Sequence, residues 1–133
     1  MRVVLDSSFL IDLERGLPSA RSLLDELDST HEQPSIPAPV LYEVLSLAGK
    51  KRGTAAARRL LSVLGRLPLL PLDGPAARRA AEILVELVAL GEEKPHVDVL
   101  IAGIVLESQG ILVTRDQDFL EMERLVGLQV RSY

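Results

Sequence analysis

The 133-residue chain contains no cysteine and only two histidines. Without cysteine, disulfide bonds, thiolate zinc sites, iron–sulfur clusters and cysteine nucleophiles are all excluded. Two histidines are too few for a histidine-rich metal site. Any metal ion held by this chain must therefore bind mainly to oxygen atoms, which are the ligands that Mg²⁺ and Mn²⁺ prefer.

Long apolar runs and aromatic residues are also scarce. The longest clean apolar stretch covers residues 99–106, far short of the ~20 residues that a bilayer-spanning helix needs. Asp6 and Asp12 interrupt any apolar signal-peptide segment. We therefore expect a cytoplasmic protein without membrane association. Aromatic residues make up 3% of the chain, so stacking on tryptophan or phenylalanine is not expected to dominate any nucleic-acid contact.

The remaining composition is that of a globular domain. Hydrophobic residues account for 47% of the chain, which argues against intrinsic disorder and can fill a core. The length of 133 residues suits one domain, which we expect to span residues 1–133. The formal net charge of −4 excludes a generally basic nucleic-acid coat protein, although it allows a local basic patch.

Short apolar runs alternate with helical stretches along the chain. Strands are predicted at residues 2–5, 35–37, 69–72, 111–114 and 128–130. Helices are predicted at residues 9–14, 18–30, 39–48, 54–66, 74–90, 95–108 and 116–122. We expect Ser7 or Ser8 to cap the first helix, Asp73 to cap the fifth, and Gly49 and Gly53 to bracket a turn. This alternation predicts an α/β sandwich around a small, mostly parallel sheet of four to five strands.

Two acids follow predicted strands. Asp6 comes directly after the first strand, and Asp116 closely follows the strand at 111–114, with Asp118 two residues further on. The carboxyl ends of parallel strands are where open α/β sheets form their sites. A single acid in such a position is more often only a turn residue or a helix cap.

Two further acids fall on apolar helix faces. At ~100° per residue, Asp98 shares its face with Ile101, and Glu43 borders the arc that carries Val40. An acid that faces a core is unfavourable unless it is paired, protonated or bound to a cation. The alternatives are an ion pair of Glu43 with Lys50, a sheet-edge position for Glu43, and a helix-capping role for Asp98.

These four acids can meet at one edge of a small sheet. Their charges would then repel by ~4 kcal/mol per close pair at an effective dielectric constant of ~20. Either some of them are protonated or a multivalent cation neutralises them. Oxygen-only ligands favour Mg²⁺, with Mn²⁺ as an alternative.

Four acid-containing segments follow one another along the chain. They are residues 6–11 (DSSFLI), 35–44 (SIPAPVLYEV), 98–102 (DVLIA) and 114–119 (TRDQDF). In order and spacing they resemble the four motifs of the PIN-domain nucleases, and the resemblance covers residues 2–131. In a chain of this length it is closest to the VapC toxins of VapBC toxin–antitoxin pairs. The resemblance implies a PIN-like three-layer sandwich.

The resemblance also implies an activity and its residues. It implies a Mg²⁺-dependent endoribonuclease, the toxin of a type II toxin–antitoxin pair, inhibited by a VapB-like antitoxin and often homodimeric. The catalytic acids of the family correspond to Asp6, Glu43, Asp98 and Asp116. The metal ligands correspond to Asp6, Asp98, Asp116 and Asp118. The supporting hydroxyl groups correspond to Ser8, with Ser7 beside it, and to Thr114.

The segment at residues 44–72 contains no acid and six basic residues. We predict that it contacts RNA phosphates through Lys50, Lys51, Arg52, Arg58 and Arg59. The alternatives are a solvated face or a docking surface for an acidic partner segment. The apolar stripes at 17–27 and 55–64 are predicted core, with a dimer face or an antitoxin groove as alternatives.

Two other functions remain open at this stage. Another α/β phosphoryl-transfer domain, such as a receiver or an aspartyl-phosphate hydrolase, would also place an acid after its first strand. The phosphatase-type Asp-x-Asp is absent because Ser7 and Ser8 follow Asp6, and a receiver would need a lysine where Arg115 stands. A non-catalytic PIN-like binding module would be expected to have lost its acids, which are all present.

Overall fold

In the computed structural model, which describes residues 2–133, seven helices and five short strands alternate along the chain. The strands are β1 (Arg2–Leu5), β2 (Ile36–Pro37), β3 (Leu69–Leu70), β4 (Gly110–Val113) and β5 (Val130–Arg131). The helices are α1 (Ser7–Glu14), α2 (Pro18–Ser29), α3 (Ala38–Arg52), α4 (Thr54–Leu64), α5 (Gly74–Ala89), α6 (His96–Glu107) and α7 (Gln117–Val126). No helix in this range combines the length and the apolar character that crossing a membrane requires.

All strand pairs are parallel. β4 lies between β1 and β5, and β2 pairs separately with β3. A parallel bridge between Val4 and Ser35 joins the two groups. At this bridge the Leu5 N–H donates to the Ser35 carbonyl at 2.9 Å, and the Ser35 N–H donates to the Val3 carbonyl at 2.9 Å. The five strands therefore run in the same direction across the middle of the protein.

The register of β1 and β4 sets the position of the residues that follow them. Leu5 lies opposite Val113, so the two strands end side by side. Asp6 and Thr114 are the next residues in the chain, and both are buried. Parallel pairing therefore brings the first and fourth sequence motifs together.

Helices cover both faces of the sheet. Val4 and Leu112 pack into a core shared with α3, α5, α6 and α7, whereas Leu5 and Val113 pack against α1 and α2. Neighbouring residues of one strand point to opposite faces, which explains this division. Burial on both faces is typical of parallel sheets. The expected three-layer α/β sandwich with a small parallel sheet is confirmed. The four to five strands expected in one sheet are divided into a three-stranded and a two-stranded sheet, which a single bridge joins because β2 and β3 are only two residues long.

Several helix ends differ from the sequence prediction. α4 ends at Leu64, two residues early, and α7 continues to Val126, four residues beyond the predicted end at residue 122, before Gly127 ends it in a left-handed conformation. α1 begins at Ser7, so neither serine is its cap, and Asp6 occupies that position without a capping side-chain hydrogen bond. α3 continues through Gly49, so residues 50–52 form its last helical turn instead of a loop. Gly53, with φ of 90°, ends the helix in a conformation that other residues rarely adopt. The three basic side chains of this last turn also favour the helix, because its C-terminus carries partial negative charge.

α5 and α6 pack closely, and this contact places the N-terminal turn of α6. Asp73 caps α5 as predicted, accepting a hydrogen bond from the Ala76 N–H at 3.0 Å. A Cβ atom at Gly103 of α6 would lie only 2.7 Å from the Ala80 Cβ and 2.8 Å from the Ala76 carbonyl oxygen. The glycine therefore permits the close approach of the helix that carries Asp98.

Candidate functional site

Asp6, at the end of β1, is held by two hydroxyl groups. It is buried, with 2% of its surface exposed. Its Oδ2 accepts hydrogen bonds from Thr114 Oγ1 at 2.7 Å and from Ser8 Oγ at 2.9 Å. The same Thr114 oxygen accepts a hydrogen bond from the Asp116 N–H at 3.0 Å. Burial raises the pKa of Asp6, and the two hydroxyl hydrogen bonds oppose that rise.

Asp98, Asp116 and Asp118 form a cluster that we call the carboxylate triad. Each places one carboxylate oxygen within 4.8 Å of the other two, and within residues 2–133 no other group of potential metal ligands does so. Asp98 comes from the first turn of α6. Asp116 caps α7, its Oδ1 accepting from the Asp118 N–H at 3.0 Å. Three half-buried carboxylates at this spacing suit a hard divalent cation.

Burial and neighbouring negative charges raise the pKa of Asp98. Burial is the largest of the causes that raise the pKa of Asp98 to about 7. The further causes are the negative charges of Asp116, Asp118, Asp6 and Glu43. Asp98 therefore lies within range of the charges of the other four acids singled out in the sequence. Asp6 and Glu43 are nevertheless not members of the carboxylate triad.

Glu43, on α3, contains an unsatisfied buried atom. Its Oε1 is buried and accepts no hydrogen bond from any residue in the described range 2–133. Burial raises the pKa of Glu43, and the charges of Asp6 and Asp116 raise it further. An unsatisfied buried polar atom costs about 1–3 kcal/mol. A proton or a cation at this position would remove that cost.

The structure decides between the alternatives for the two helix acids. Glu43 forms no ion pair with Lys50 among residues 2–133, and its Oε1 accepts no hydrogen bond there. Pro95 occupies the cap position of α6, and no side chain caps that helix. Asp98 is therefore not a capping residue, and its carboxylate is available to the triad.

The PIN domain family matches residues 3–125. This chain belongs to the PIN domain family. No curated protein sequence matches the chain. The resemblance to the PIN-domain family is thereby confirmed.

Three solved structures illustrate the shared fold. A chain of VapBC2 from Rickettsia felis, bound to a promoter DNA fragment, superposes with a TM-score of 0.85 at 21% identity, covering 100% of this chain and 99% of that one. A chain of VapBC-1 from nontypeable Haemophilus influenzae superposes with a TM-score of 0.84 at 19% identity, covering 99% of this chain and 98% of that one. VapC20 from Mycobacterium tuberculosis is described as a toxin that cleaves the sarcin–ricin loop. It superposes with a TM-score of 0.66 at 18% identity, covering 90% of this chain and 93% of that one.

Lys94 is a residue of this PIN domain's site that the sequence analysis missed. Its side chain is only 8% exposed. It forms an ion pair with Glu121 and lies 3.8 Å from Asp118 Oδ1 and 3.9 Å from Glu92 Oε2. Lys94 lowers the pKa of Glu121 by hydrogen bonding. Its surroundings in the sequence, Gly-Glu-Glu-Lys-Pro, are typical of a solvated loop and contain no signal of this burial.

A second missed group anchors the fourth motif of the PIN domain. Asp12 of α1, 3% exposed, accepts hydrogen bonds from Arg115 Nη2 at 2.9 Å and from the Tyr133 hydroxyl at 2.7 Å. The Arg115 guanidinium is the main cause that lowers the pKa of Asp12. The Tyr133 ring packs edge to face on Phe9, with centroids 5.1 Å apart. Because Arg115 directly precedes Asp116, this cluster holds the β4–α7 loop against α1.

The predicted RNA-contacting residues lie on more than one surface. Lys50 lines a cleft of about 310 Å³ together with Glu43. Lys51 and Arg52 line a different, mainly apolar groove of about 430 Å³ between α1, α3 and α4, where Arg52 pairs with Glu14 at 2.5 Å. Two more basic residues are exposed on α4, namely Arg58 and Arg59. The structure thus brings Lys50 to the acids and places Lys51 and Arg52 elsewhere.

Proposed function

We propose that this PIN domain is an endoribonuclease toxin that hydrolyses RNA phosphodiester bonds with the help of Mg²⁺, or alternatively Mn²⁺. The observation that carries the proposal is the convergence of Asp98, Asp116 and Asp118 within 4.8 Å. The unsatisfied Oε1 of Glu43 supports a cation or proton at the same edge of the sheet. RNA as the substrate is supported by the fold shared with VapC20, a toxin described as cleaving the sarcin–ricin loop.

The carboxylate triad would hold the cation, with Asp6 beside it. When bound, a divalent cation lowers the pKa of water and polarises a phosphate oxygen. The hydroxyl groups of Thr114 and Ser8 keep the Asp6 carboxylate in one orientation through hydrogen bonds of 2.7 and 2.9 Å. Without a cation the acids repel the phosphates of RNA. Substrate binding and cleavage should therefore depend on the same ion.

Glu43 is the residue that we propose as the proton acceptor for the attacking water. Its Oε1 has no hydrogen-bond donor among the described residues, so it is free to take a proton. Burial raises its pKa, which brings a carboxylate closer to the range useful for a general base. Asp118, the other acid considered for this role, lies 3.8 Å from the Lys94 ammonium group. Because Asp118 is also a member of the carboxylate triad, we assign it to the metal ligands.

Basic residues would bind the phosphates of the substrate. Lys50 is proposed to contact the phosphate nearest the acids, because it shares a cleft with Glu43. Arg58 and Arg59, which are exposed on α4, are proposed as further phosphate contacts. In salt titrations of RNA affinity, Lys50→Ala and Arg58→Ala should each weaken binding and lower the slope of log K against log salt by about 1. An unchanged slope would remove that residue from the RNA surface.

We also propose an antitoxin partner for the apolar groove between α1, α3 and α4. Its lining includes Leu10, Leu47 and Leu60, and Arg15 and Lys51 contribute positive charge. Such a groove fits an amphipathic helix with an acidic edge, as a VapB-like antitoxin would supply. The R. felis and H. influenzae structures of similar fold are VapBC complexes. A homodimer, a single domain over residues 1–133 and a cytoplasmic location complete the proposal.

Metal-dependent RNA cleavage tests the proposal. Purified protein is incubated with mixed ribosomal and transfer RNA in Mg²⁺, in Mn²⁺ or in EDTA, and we expect fragments only with a divalent cation. Asp98→Asn should abolish cleavage while the protein remains folded. Asp28→Asn, at an exposed position on α2, is the matched control and should cleave normally. Full activity in EDTA or in Asp98→Asn would contradict the proposal.

A separate measurement tests the alternative phosphoryl-transfer function. A receiver or an aspartyl-phosphate hydrolase would take up phosphate from acetyl phosphate onto the first-strand acid, Asp6. Intact-mass spectrometry of the protein after incubation with acetyl phosphate and Mg²⁺ detects that acyl phosphate. We expect no mass increase, and a phosphorylated Asp6 without RNA cleavage would favour the rival.

A further inference from the structure

Tyr42 is exposed although it lies next to the site. It is 72% exposed, whereas Phe9 and Phe119 are buried and the Tyr133 hydroxyl is bonded to Asp12. The chain has two phenylalanines, two tyrosines and no tryptophan, so Tyr42 is its one mainly exposed aromatic ring. Its ring contributes little to the core, and an exposed ring beside a cleft is well placed to contact a ligand.

Tyr42 lines the cleft of about 310 Å³ that also contains Glu43, Ser7 and Lys50. This volume lies within the range of about 300–1,000 Å³ that is usual for small-ligand sites. Ser7 directly follows Asp6 in the chain, and Glu43 lies within range of the charges of Asp6 and Asp116. The cleft therefore adjoins the position where a phosphodiester bond would be cut.

One face of α3 presents three different groups to this cleft. Tyr42, Ser46 and Lys50 follow one another at intervals of four residues, which places them on the same side of the helix. The Ser46 hydroxyl donates to the carbonyl oxygens of Tyr42 at 2.7 Å and Glu43 at 3.1 Å, so toward a ligand it can only accept. The face therefore offers an aromatic ring, a hydrogen-bond acceptor and a cation in sequence.

We infer that this cleft binds the nucleobase next to the cleaved phosphodiester, stacked on the Tyr42 ring, with the adjoining phosphate on the Lys50 ammonium group. The inference rests on the proposed nuclease function and adds a nucleotide subsite to it. Base–aromatic stacking tolerates any base because each has a π-face. Ser7, Ser46 and Lys50 give this cleft polar groups for a nucleotide, and Ile11 and Leu47 give it an apolar wall. The adjoining groove between α1, α3 and α4 shares Ile11 and Leu47 with the cleft, is more apolar, and suits a protein helix better.

Binding of mononucleotides tests the subsite without requiring cleavage. Aromatic proton NMR is recorded while the four ribonucleoside 5′-monophosphates or ribose 5-phosphate are added in Mg²⁺. The chain has only two tyrosines, so the Tyr42→Ala spectrum assigns the Tyr42 ring signals. We expect upfield shifts of these signals with nucleotides and none with ribose 5-phosphate.

Variants separate stacking from charge. Tyr42→Ala should weaken nucleotide binding by about tenfold and leave the weaker binding of ribose 5-phosphate unchanged, because only the base loses a contact. Tyr42→Phe keeps the ring and should retain the affinity. Lys50→Ala should weaken both probes. Equal affinity for nucleotides and ribose 5-phosphate, or an unchanged affinity in Tyr42→Ala, would overturn the inference.

The outcome is distinguishable from that of the nuclease proposal. Nucleotide stacking on Tyr42 without Mg²⁺-dependent RNA cleavage would keep the subsite and remove the nuclease. RNA cleavage without stacking would keep the nuclease and remove the subsite. Tyr42 signals that shift only with protein concentration would assign the ring to contacts between copies of the chain and overturn the subsite.

Discussion

The Thr114 hydroxyl donates to Asp6 Oδ2 at 2.7 Å although the two residues are 108 positions apart in the sequence. The contact exists because β1 and β4 are parallel neighbours whose last residues, Leu5 and Val113, lie opposite each other. The same hydroxyl oxygen accepts a hydrogen bond from the Asp116 N–H at 3.0 Å. One buried threonine thus connects the acid after the first strand to the acid after the fourth.

Thr114→Val tests this connection, because valine keeps the side-chain shape and removes the hydrogen bonds to Asp6 and Asp116, together with the contact to Ser8 Oγ at 3.2 Å. A buried carboxylate that loses a donor should lower the free energy of unfolding by about 1–3 kcal/mol. Urea denaturation measures this loss. The pKa of Asp6 should also rise further, since the Thr114 hydrogen bond lowers it, and Mg²⁺ affinity in calorimetric titration should fall.

Thr54→Val is the matched control for the threonine experiment. Thr54 is exposed at the start of α4 and makes no capping side-chain hydrogen bond there. Its replacement should change the free energy of unfolding by less than about 0.5 kcal/mol. If Thr114→Val were as stable as Thr54→Val, the hydroxyl would have no structural role.

Asp98 should make the metal-free protein less stable as the pH rises. In the folded protein the pKa of this carboxyl is raised from 3.8 to about 7, so the folded state binds more protons than the unfolded chain between these values. Its contribution to stability therefore falls across that interval. Asp98→Asn removes the effect and should stabilise the metal-free protein by about 1–2 kcal/mol near pH 8, allowing for solvent screening of a half-buried group.

Urea denaturation in EDTA, compared at about pH 4 and about pH 8, checks the Asp98 prediction. At the lower pH the Asp98 carboxyl is mostly neutral in the folded state, so the wild type and Asp98→Asn should be similarly stable. Added Mg²⁺ should stabilise the wild type more than the variant, because binding to the folded state adds to stability. The prediction would be wrong if, in EDTA, the unfolding free energy of the wild type rose relative to that of Asp98→Asn as the pH increased.

Lys94→Met should act in opposite directions on stability and on metal binding. Removing a buried ammonium group leaves Glu121 and Asp118 without their cation and should cost about 1–3 kcal/mol of unfolding free energy. The carboxylate triad becomes more negative, so Mg²⁺ affinity should increase. Lys51→Met, at an exposed position on α3, is the control and should change neither quantity appreciably. Weaker Mg²⁺ binding in a folded Lys94→Met protein would contradict the electrostatic argument.

Replacing each of two helix glycines with alanine should change the stability of the protein in opposite directions. At Gly103 a Cβ would lie 2.7 Å from the Ala80 Cβ, so Gly103→Ala forces α5 and α6 apart and should destabilise the protein by about 1–3 kcal/mol. At Gly49 the nearest atom to a new Cβ is the Ala57 Cβ at 3.8 Å, an ordinary contact. Gly49→Ala should therefore stabilise α3 by about 0.5–1 kcal/mol. Thermal unfolding of the two variants measures the contrast.

Much of the fold could be predicted from local sequence patterns. The strand–helix alternation, the Asp73 cap and the parallel sheet follow from residue periodicity and from proline, glycine and capping positions, all of which act over a few residues. The same local rules misplaced the end of α3. They treated the run of basic residues 50–52 as a turn, whereas its position beside a helix C-terminus stabilises the helical form.

The sequence was also enough to single out the acids, because Asp6 and Asp116 follow strands whose ends meet at one edge, and Glu43 and Asp98 lie on apolar helix faces. It could not show which of them come closest, since that depends on how α6 and α7 pack, and the structure selects Asp98, Asp116 and Asp118. Their catalytic role is the prediction that RNA cleavage tests.

Contacts between distant residues were decided by packing alone. Asp12 meets Arg115 and Tyr133, which lie 103 and 121 positions away, and no local pattern encodes such a pairing. Lys94 is buried by residues of α7, and Tyr42 is left exposed because α3 turns its other sides toward the core. Burial and charge pairing depend on surfaces that the whole chain brings together. The environments of Asp12, Lys94 and Tyr42 could therefore be determined only from the tertiary structure.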